Sequence, residues 1–418
     1  MTVLIVGGGG REHAICRALS KSQRVNRLYC APGNGGISGI AQCVDISASD
    51  VEKIVRFSIE KAIDLVMVAP DDPLALGMVD ALEAAGIRVF GPHKDAAIIE
   101  SSKVFSKNLM KKYGIPTARY EVFSDIGKAK SYIRANGAPI VVKADGLALG
   151  KGVVVAMDVD AALKAVDTIM VERKFGDSGI SIVIEEYMTG PEITVLAFTD
   201  GKTIVPMLSS QDHKRAYTGD SGPNTGGMGA FSPSPNYTAD IADICDKTIF
   251  KPTIDAMRSE GRLFKGVIYF GLMLTSDGPR VVEYNARFGD PEAQVVLAML
   301  KTDILEIFEA VIDERLDELE LEWRDGYACC VVMASGGYPG KYDKGYAING
   351  LDNVPGDVIV YHAGTALKDG SFITNGGRVL GVTATGDTLQ YASSRAYDSV
   401  SRISFKNVYY RTDIGRKK

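Results

Sequence analysis

The sequence predicts an α/β protein of several units: a doubly wound parallel-sheet domain, an α+β middle section and a small β-rich end. Three observations carry that reading. Over residues 1 to about 100, short apolar runs alternate with helical patterns, which is how successive parallel β-α-β units read. Past about residue 118 the apolar runs become β-rich, with helical stretches between them. Beyond Trp323-Arg324-Asp325-Gly326 the chain turns to strands and tight turns. The length of 418 residues agrees, since at roughly 150 residues per domain it holds two to four domains.

The elements follow in order. Val3 to Val6 leads through a glycine turn into a helical pattern at Ala14, Ile15, Ala18 and Leu19. Leu28 to Cys30 stops at Ala31-Pro32-Gly33-Asn34-Gly35-Gly36, Leu65 to Val68 at Ala69-Pro70-Asp71-Asp72-Pro73, and Val89-Phe90 at Gly91-Pro92. A row of loops at the C-terminal strand edge is where open α/β sheets bind ligands. Residues 101–113 read as a connecting helix, with Ser101 or Ser102 as cap and Gly114-Ile115-Pro116 as stop. β-rich runs at 140–142, 153–156 and 182–185, with helical stretches at 125–136 and 158–173, make a small module. A larger sheet follows from strands at 192–199, 203–209, 266–275 and 279–285, with helices at about 238–260 and 291–314.

Composition narrows the function. Lys+Arg 47 against Asp+Glu 52 leaves a net charge of −5, which argues against nucleic acid or anionic lipid as general partners, so any anion site is local. Glycine, 45 of 418 residues, exceeds the usual roughly 7%. The six cysteines form no C-x-x-C pair and are expected as reduced core residues. No apolar run approaches the ~18 residues of a membrane span, and the opening Met1-Thr2-Val3-Leu4-Ile5 has no basic n-region, so a cytoplasmic protein is expected.

Four stretches carry candidate chemistry. Gly7-Gly8-Gly9-Gly10-Arg11-Glu12-His13 joins a strand to a helix, where free N–H groups and the helix dipole favour an anion. Arg11 adds a phosphate-matching fork, while His13 reads as a first-turn polar residue; a tight turn without ligand is the alternative. The third glycine of a dinucleotide fingerprint would fall on Glu12, which disfavours nicotinamide cofactors. Lys143 to Gly152 is a second glycine loop, between β runs and without the Walker A pattern; a plain hairpin is its alternative. Gln211 to Ala230, rich in Gly, Asp, Asn and Lys/Arg, reads as a long structureless connection, functional or mobile. In Val281 to Glu292, Glu283 and Asn285 are two apart and share one strand face as hard oxygen ligands suited to Mg²⁺, and Arg287 follows on that face.

Taken together, Val6 to His13, Gln211-Asp212-His213-Lys214-Arg215, Gly222-Pro223-Asn224-Thr225-Gly226-Gly227-Met228-Gly229 and Asn285-Ala286-Arg287-Phe288-Gly289-Asp290-Pro291-Glu292 carry a resemblance over almost the whole chain. The sequence resembles the ATP-grasp enzymes and, among them, the phosphoribosylamine-glycine ligase family of purine synthesis. The resemblance implies an ATP-grasp fold with an N-terminal substrate-binding domain at 1–101 and a connector at 102–117. It further implies small and large ATP-grasp subdomains at 118–188 and 189–325 and a β-rich C-terminal domain at 326–418.

The same resemblance implies site roles. Lys103 and Lys143 would meet the ATP phosphates, Glu185, Glu186 and Met188 would form the adenine hinge, and Glu192 would hold the ribose hydroxyls. Glu283 and Asn285 match the ligands of magnesium (or manganese); no further carboxylate lies on Gly266 to Leu274 to complete the shell. Arg287 would grip a substrate carboxylate, with Asp290 and Asp212 near the glycine ammonium. Gly10, Arg11, Glu12, Asn34 and Gly36 would cradle the phosphoribosyl group, with His213 and Lys214 reaching in from the facing loop. The family usually has Gly-Pro-Glu where this chain has Ala69-Pro70-Asp71, so the Asp71 carboxylate sits one methylene nearer the backbone. The implied reaction joins glycine to 5-phosphoribosylamine through glycyl phosphate, in a protein expected to be monomeric. The 146–152 loop would open for ATP and close against water. Another ATP-grasp ligase, or a nucleotide sensor without turnover, are the competing readings. The Gln211 to Arg215 block speaks against the first, and the joint presence of Lys143, Glu283, Asn285 and Arg287 against the second.

Overall fold

The computed structural model describes residues 1–147 and 152–416. The chain opens with a five-stranded parallel sheet in the order Gln42–Cys43, Arg27–Pro32, Thr2–Gly7, Leu65–Val68, Arg88–Phe90. The order steps outward on both sides of Thr2–Gly7, so its C-terminal end is the switch point of a doubly wound sheet. All but the first residue of that strand is buried, as expected of a parallel strand covered on both faces. Helix Gly10–Leu19 starts at this edge, and the Glu12 carboxylate accepts the Gly9 N–H at 2.5 Å.

The connecting helix is Lys103–Tyr113. Its Ser102 cap accepts from the Phe105 N–H at 3.1 Å, and Gly114 ends it in the left-handed conformation at φ +69°. The small module is an antiparallel sheet in the order Tyr120–Phe123, Ile182–Glu186, Ile140–Ala144, Val153–Ala156, with helices Ile126–Asn136 and Val159–Val166 on it. Its core, built on Ile133, Val142, Ala156, Ile169 and Ile184, is separate from every other apolar cluster described. The first domain and the large sheet, in contrast, share two cores, one joining Ile5 to Phe198 and Phe288, the other joining Val66 to Phe270 and Tyr284.

The large sheet runs Ile204–Pro206, Glu192–Thr199, Gly266–Thr275, Gly278–Asn285, all antiparallel. Both long helices expected around it are divided. The first widens into a π turn at Asp246–Phe250, just ahead of Pro252, whose ring nitrogen cannot donate to the preceding turn. The second ends at Met299 and restarts at Ile304, because the Asp303 carboxylate caps the new helix through the Leu305 N–H at 2.9 Å. The helical stretch expected to reach 173 likewise gives way to a π turn at Asp167–Val171.

The stretch from Gln211 to Ala230 is not structureless. It forms strand Gln211–Asp212, the hairpin Arg215–Tyr217 with Ser221–Asn224, and strand Gly229–Ser232. Its outer strands begin the C-terminal sheet, which continues with Tyr327–Ser335, Arg378–Gly386 and Ile359–His362. The polar groups that suggested a loop find partners far along the chain. Arg411 reaches Asp220 at 2.8 Å and the Arg215 carbonyl at 3.1 Å, and Arg378 reaches the Gly226 carbonyl at 2.6 Å.

The six cysteines are free thiols, five buried and Cys43 half-buried. Among the described residues no helix is long and apolar enough to cross a membrane. Of the expected 146–152 lid, residues 148–151 lie outside the described residues.

Candidate active site

A cavity of about 1170 Å³ opens where the four sheets meet. Arg11 and Asp71 reach it from the first domain, Lys143 and Glu185 from the small module, Glu192 and Glu283 from the large sheet, and Arg378 from the C-terminal sheet.

On the small-module side, Lys143 and Glu185 lie on neighbouring strands, with Lys143 Nζ 2.9 Å from Glu185 Oε1. Lys107 Nζ, from the connecting helix, is 3.2 Å from the same oxygen. Lys107 was not singled out from the sequence, although its i, i+4 spacing from Lys103 puts both on one helix face. Lys103 donates to the Gly146 carbonyl at 2.8 Å. Burial, helped by Lys143 and opposed by Glu283 and Asp145, draws the Lys103 ammonium below its ordinary pKa. Of the expected adenine hinge, Met188 lines the cavity, the Glu185 carboxylate turns inward to the two lysines, and Glu186 pairs with Arg119 at 2.6 Å and Arg280 at 3.2 Å.

Glu283 and Asn285 face the cavity from strand Gly278–Asn285. Gly271 stands opposite Glu283, and a Cβ there would come within 3.2 Å of Glu283 Cγ. Burial opposes the Glu283 charge, but Lys214, Lys143 and Lys103 outweigh it and hold the carboxyl at about 2. Lys214 Nζ bridges Glu192 and Glu283, 3.4 Å from the latter. An ionised carboxylate and an amide oxygen fit a hard cation. Among the described residues no cluster of three or more His, Cys, Asp or Glu forms a metal site, so phosphate and water oxygens would supply the rest of the shell.

The opposite wall carries paired guanidiniums. Arg11 and Arg287 both donate from Nη1 to the Phe288 carbonyl at 3.1 Å. Arg287 Nη2 is 2.8 Å from Glu100, 3.3 Å from Asn285 Oδ1 and 3.8 Å from Asp71, so the group expected to grip a substrate carboxylate is already engaged by protein carboxylates. Glu100, which sequence reasoning missed, also accepts the Ala286 N–H at 2.7 Å and so pins the end of strand Gly278–Asn285 to the first domain. Burial disfavours the Asp71 charge, but Arg287 and Arg11 overcome it and depress the carboxyl; the shorter side chain still serves this wall. Asp290 is held by Arg378 at 3.2 Å and Gln294 at 2.8 Å. Asp212 is pushed well above the usual carboxylate range by burial and by Glu292, Glu192 and Glu283, with Lys214 opposing. Burial, with Arg411 nearby, takes His213 down to about 4, so its ring is neutral at pH 7.

Gly10, Glu12, Asn34 and Gly36 lie behind the cavity rather than on its lining. Glu12 accepts from Arg11 Nε at 2.7 Å and so sets that guanidinium. Asn34 Nδ2 donates to Gly8 O at 3.0 Å and His362 O at 2.8 Å, and its Oδ1 accepts from Gly36 N at 3.0 Å. A Cβ on Gly36 would fall 2.3 Å from the His362 ring. His13, read as a first-turn polar residue, is buried against the same loop, its Nδ1 accepting the His362 N–H at 2.8 Å.

Comparison with known proteins identifies the family. The family models of phosphoribosylglycinamide synthetase match in order: the N domain at 1–100, the ATP-grasp (A) domain at 101–293 and the C domain at 328–417. The chain is 48% identical to the phosphoribosylamine-glycine ligase of Caldanaerobacter subterraneus subsp. tengcongensis, with 99% of each covered. It is 45% identical to that of Clostridium acetobutylicum, with 100% of each covered. The crystal structure of the Thermotoga maritima phosphoribosylamine-glycine ligase superposes with a TM-score of 0.86 at 33% identity, covering 99% of this chain and 100% of that one. The biotin carboxylase domain of Hydrogenobacter thermophilus 2-oxoglutarate carboxylase, solved with MgADP and bicarbonate, shares the fold alone, with a TM-score of 0.77 at 16% identity over 98% of this chain and 91% of that one. The chain has the ATP-grasp fold and belongs to the phosphoribosylglycinamide synthetase family.

Proposed function

We propose that this protein joins glycine to 5-phosphoribosylamine with ATP, giving glycinamide ribonucleotide, ADP and phosphate. The observation that carries the reading is one cavity that sets the lysines and the Glu283-Asn285 pair of a phosphoryl-transfer site against a wall holding Arg11, Arg287 and Asp290. Similarity over the full chain to ligases of that name supports it.

The glycine carboxylate attacks the γ-phosphorus, its oxygen forms the new P–O bond and ADP leaves. The ribosylamine nitrogen then attacks the carbonyl carbon of glycyl phosphate, phosphate departs, and the nitrogen gives up a proton as the amide forms. No enzyme nucleophile is needed, so the chain contributes position and charge. Lys103 and Lys143 hold the triphosphate. Glu185, Glu186 and Met188 bound the adenine pocket, and Glu192 meets the ribose once Lys214 releases it. Glu283 and Asn285 would hold magnesium, which neutralises charge on the phosphates when bound. The manganese alternative rests on the same hard oxygens. Asp290 and Asp212 face the glycine ammonium, and Arg287, steadied by Glu100 and Asp71, sets the carboxylate. Arg11 receives the phosphoribosyl phosphate with His213 and Lys214 opposite, while Glu12, Gly10, Asn34 and Gly36 shape that pocket from behind. The domain division at 101, 117, 188 and 325, a monomeric state and a cytoplasmic location complete the reading.

Substrate omission tests it. ADP should appear rapidly only with glycine and ATP present, and amide product only when phosphoribosylamine is added. Equal ADP release without glycine would refute the reading.

A further inference from the structure

Lys107 lines the cavity without a role in the proposed reaction, yet it is only 2% exposed. An ammonium that deep requires a partner, since an unpaired buried charge is strongly disfavoured. Its partner is shared. Lys107 Nζ and Lys143 Nζ lie 3.2 and 2.9 Å from one oxygen of Glu185, and none of the three side chains is more than 5% exposed. Two ammonium groups on one carboxylate leave a surplus positive charge. Both lysines are also tied to the metal-ligand strand: Lys143 donates to Val282 O at 3.1 Å, and Lys107 donates to Thr117 Oγ1 at 2.7 Å, which in turn donates to Val281 O at 2.7 Å.

We infer that Lys107 is a positioning residue for phosphoryl transfer: it holds and neutralises Glu185 so that Lys143 keeps its charge for the nucleotide phosphates. The inference rests on the reading that Lys143 meets those phosphates. With Lys143 alone, lysine and carboxylate would close into a neutral buried pair, and Lys143 could turn to a phosphate only by stranding Glu185 without a partner. With Lys107 in place, the carboxylate stays paired whichever way Lys143 points. Burial, aided by Lys143 and opposed by Glu185, brings Lys107 down to about 8, so it still carries its charge at pH 7.

The test compares the binding of a magnesium complex of a non-hydrolysable ATP analogue with that of adenosine, by calorimetry on the full chain. The ratio of the two affinities reads the hold on the phosphates. Lys107→Met should lower that ratio by about ten- to a hundredfold, the worth of a hydrogen bond to a charged group, with adenosine binding nearly unchanged. Lys107→Met combined with Glu185→Gln should recover most of it, because Lys143 then has no carboxylate to fall back on. Lys107→Gln, which keeps a donor for Thr117, carries the same expectation should the methionine variant fail to fold. An undiminished ratio in Lys107→Met or Lys107→Gln, or a double variant as weak as the single, would overturn the inference. Lys143→Met separates the two layers: if it leaves the ratio intact, the assignment of Lys143 is itself wrong.

Discussion

Glu283 stays ionised in a half-buried position because three ammonium groups surround it, and that makes it the residue whose loss should be felt most sharply. Glu283→Gln keeps the shape and removes the charge. ADP formation should fall by about a hundredfold or more, since a bound metal contributes several kcal/mol to the transition state. Turnover measured across magnesium concentrations, with circular dichroism to confirm folding, checks this; near-normal rates at limiting magnesium would remove Glu283 from the metal site. Arg11→Ala should weaken phosphoribosylamine far more than ATP or glycine, as the steady-state KM for each substrate will tell. At this scale the sequence was most informative where motif and spacing coincide. The shared strand face that puts Glu283 and Asn285 on the cavity is legible from a strand pattern, and the place of Lys143 on its lining from the neighbouring glycine loop. Glu100 and Lys107 were not, because their roles arise from partners such as Ala286 and Glu185 that only the fold brings near.

Between elements, the N-terminal loop at 34–36 and the helix at 10–19 dock on the C-terminal loop at 362–365. Gly35 N donates to Thr365 O at 3.1 Å, beside the Asn34 and His13 bonds to His362. Composition cannot reveal such a junction: the family resemblance implies Asn34 and Gly36 as cradle residues, and their contacts with the His362 loop come to light only in the fold. Gly36→Ala would drive a methyl into the His362 ring and should cost about 1–3 kcal/mol, read as a lowered unfolding midpoint. The junction also predicts a pH response. Burial, with His362 and Arg17 nearby, depresses His13 from 6.5 to about 3, and burial takes His362 to about 4. Both groups bind protons more readily when unfolded. Their contribution to stability is therefore complete above pH 6.5 and is lost as pH falls toward 3, at about 1.4 kcal/mol per pH unit for each proton. His13→Asn, which retains an acceptor for the His362 N–H, should flatten that decline in thermal melts between pH 6.5 and 4; an unchanged slope would assign the decline to other groups. The Gln211 to Ala230 stretch makes the same point from the other side. It reads as a loop because the residues that order it, Arg378 and Arg411, are far away in sequence.

Over the whole molecule, the doubly wound domain was legible because each of its strands is a local apolar run ending in a turn residue. The sharing of cores was not, since nothing local says that Phe198 and Phe288 pack with the first domain while Ile133 and Val142 stay apart. The separate core gives the small module an independent stability. Ile133→Ala should destabilise it by about 2–5 kcal/mol, visible as lost hydrogen-exchange protection within 120–186 and not in the first sheet. With Lys103 and Lys143 across one cavity from Arg11 and Arg287, the proposed reaction has the glycine carboxylate itself take the phosphoryl group. Glycine labelled with ¹⁸O in both carboxylate oxygens tests this most directly. Every phosphate released with amide product should carry one ¹⁸O. Unlabelled phosphate accompanying the same product would contradict it.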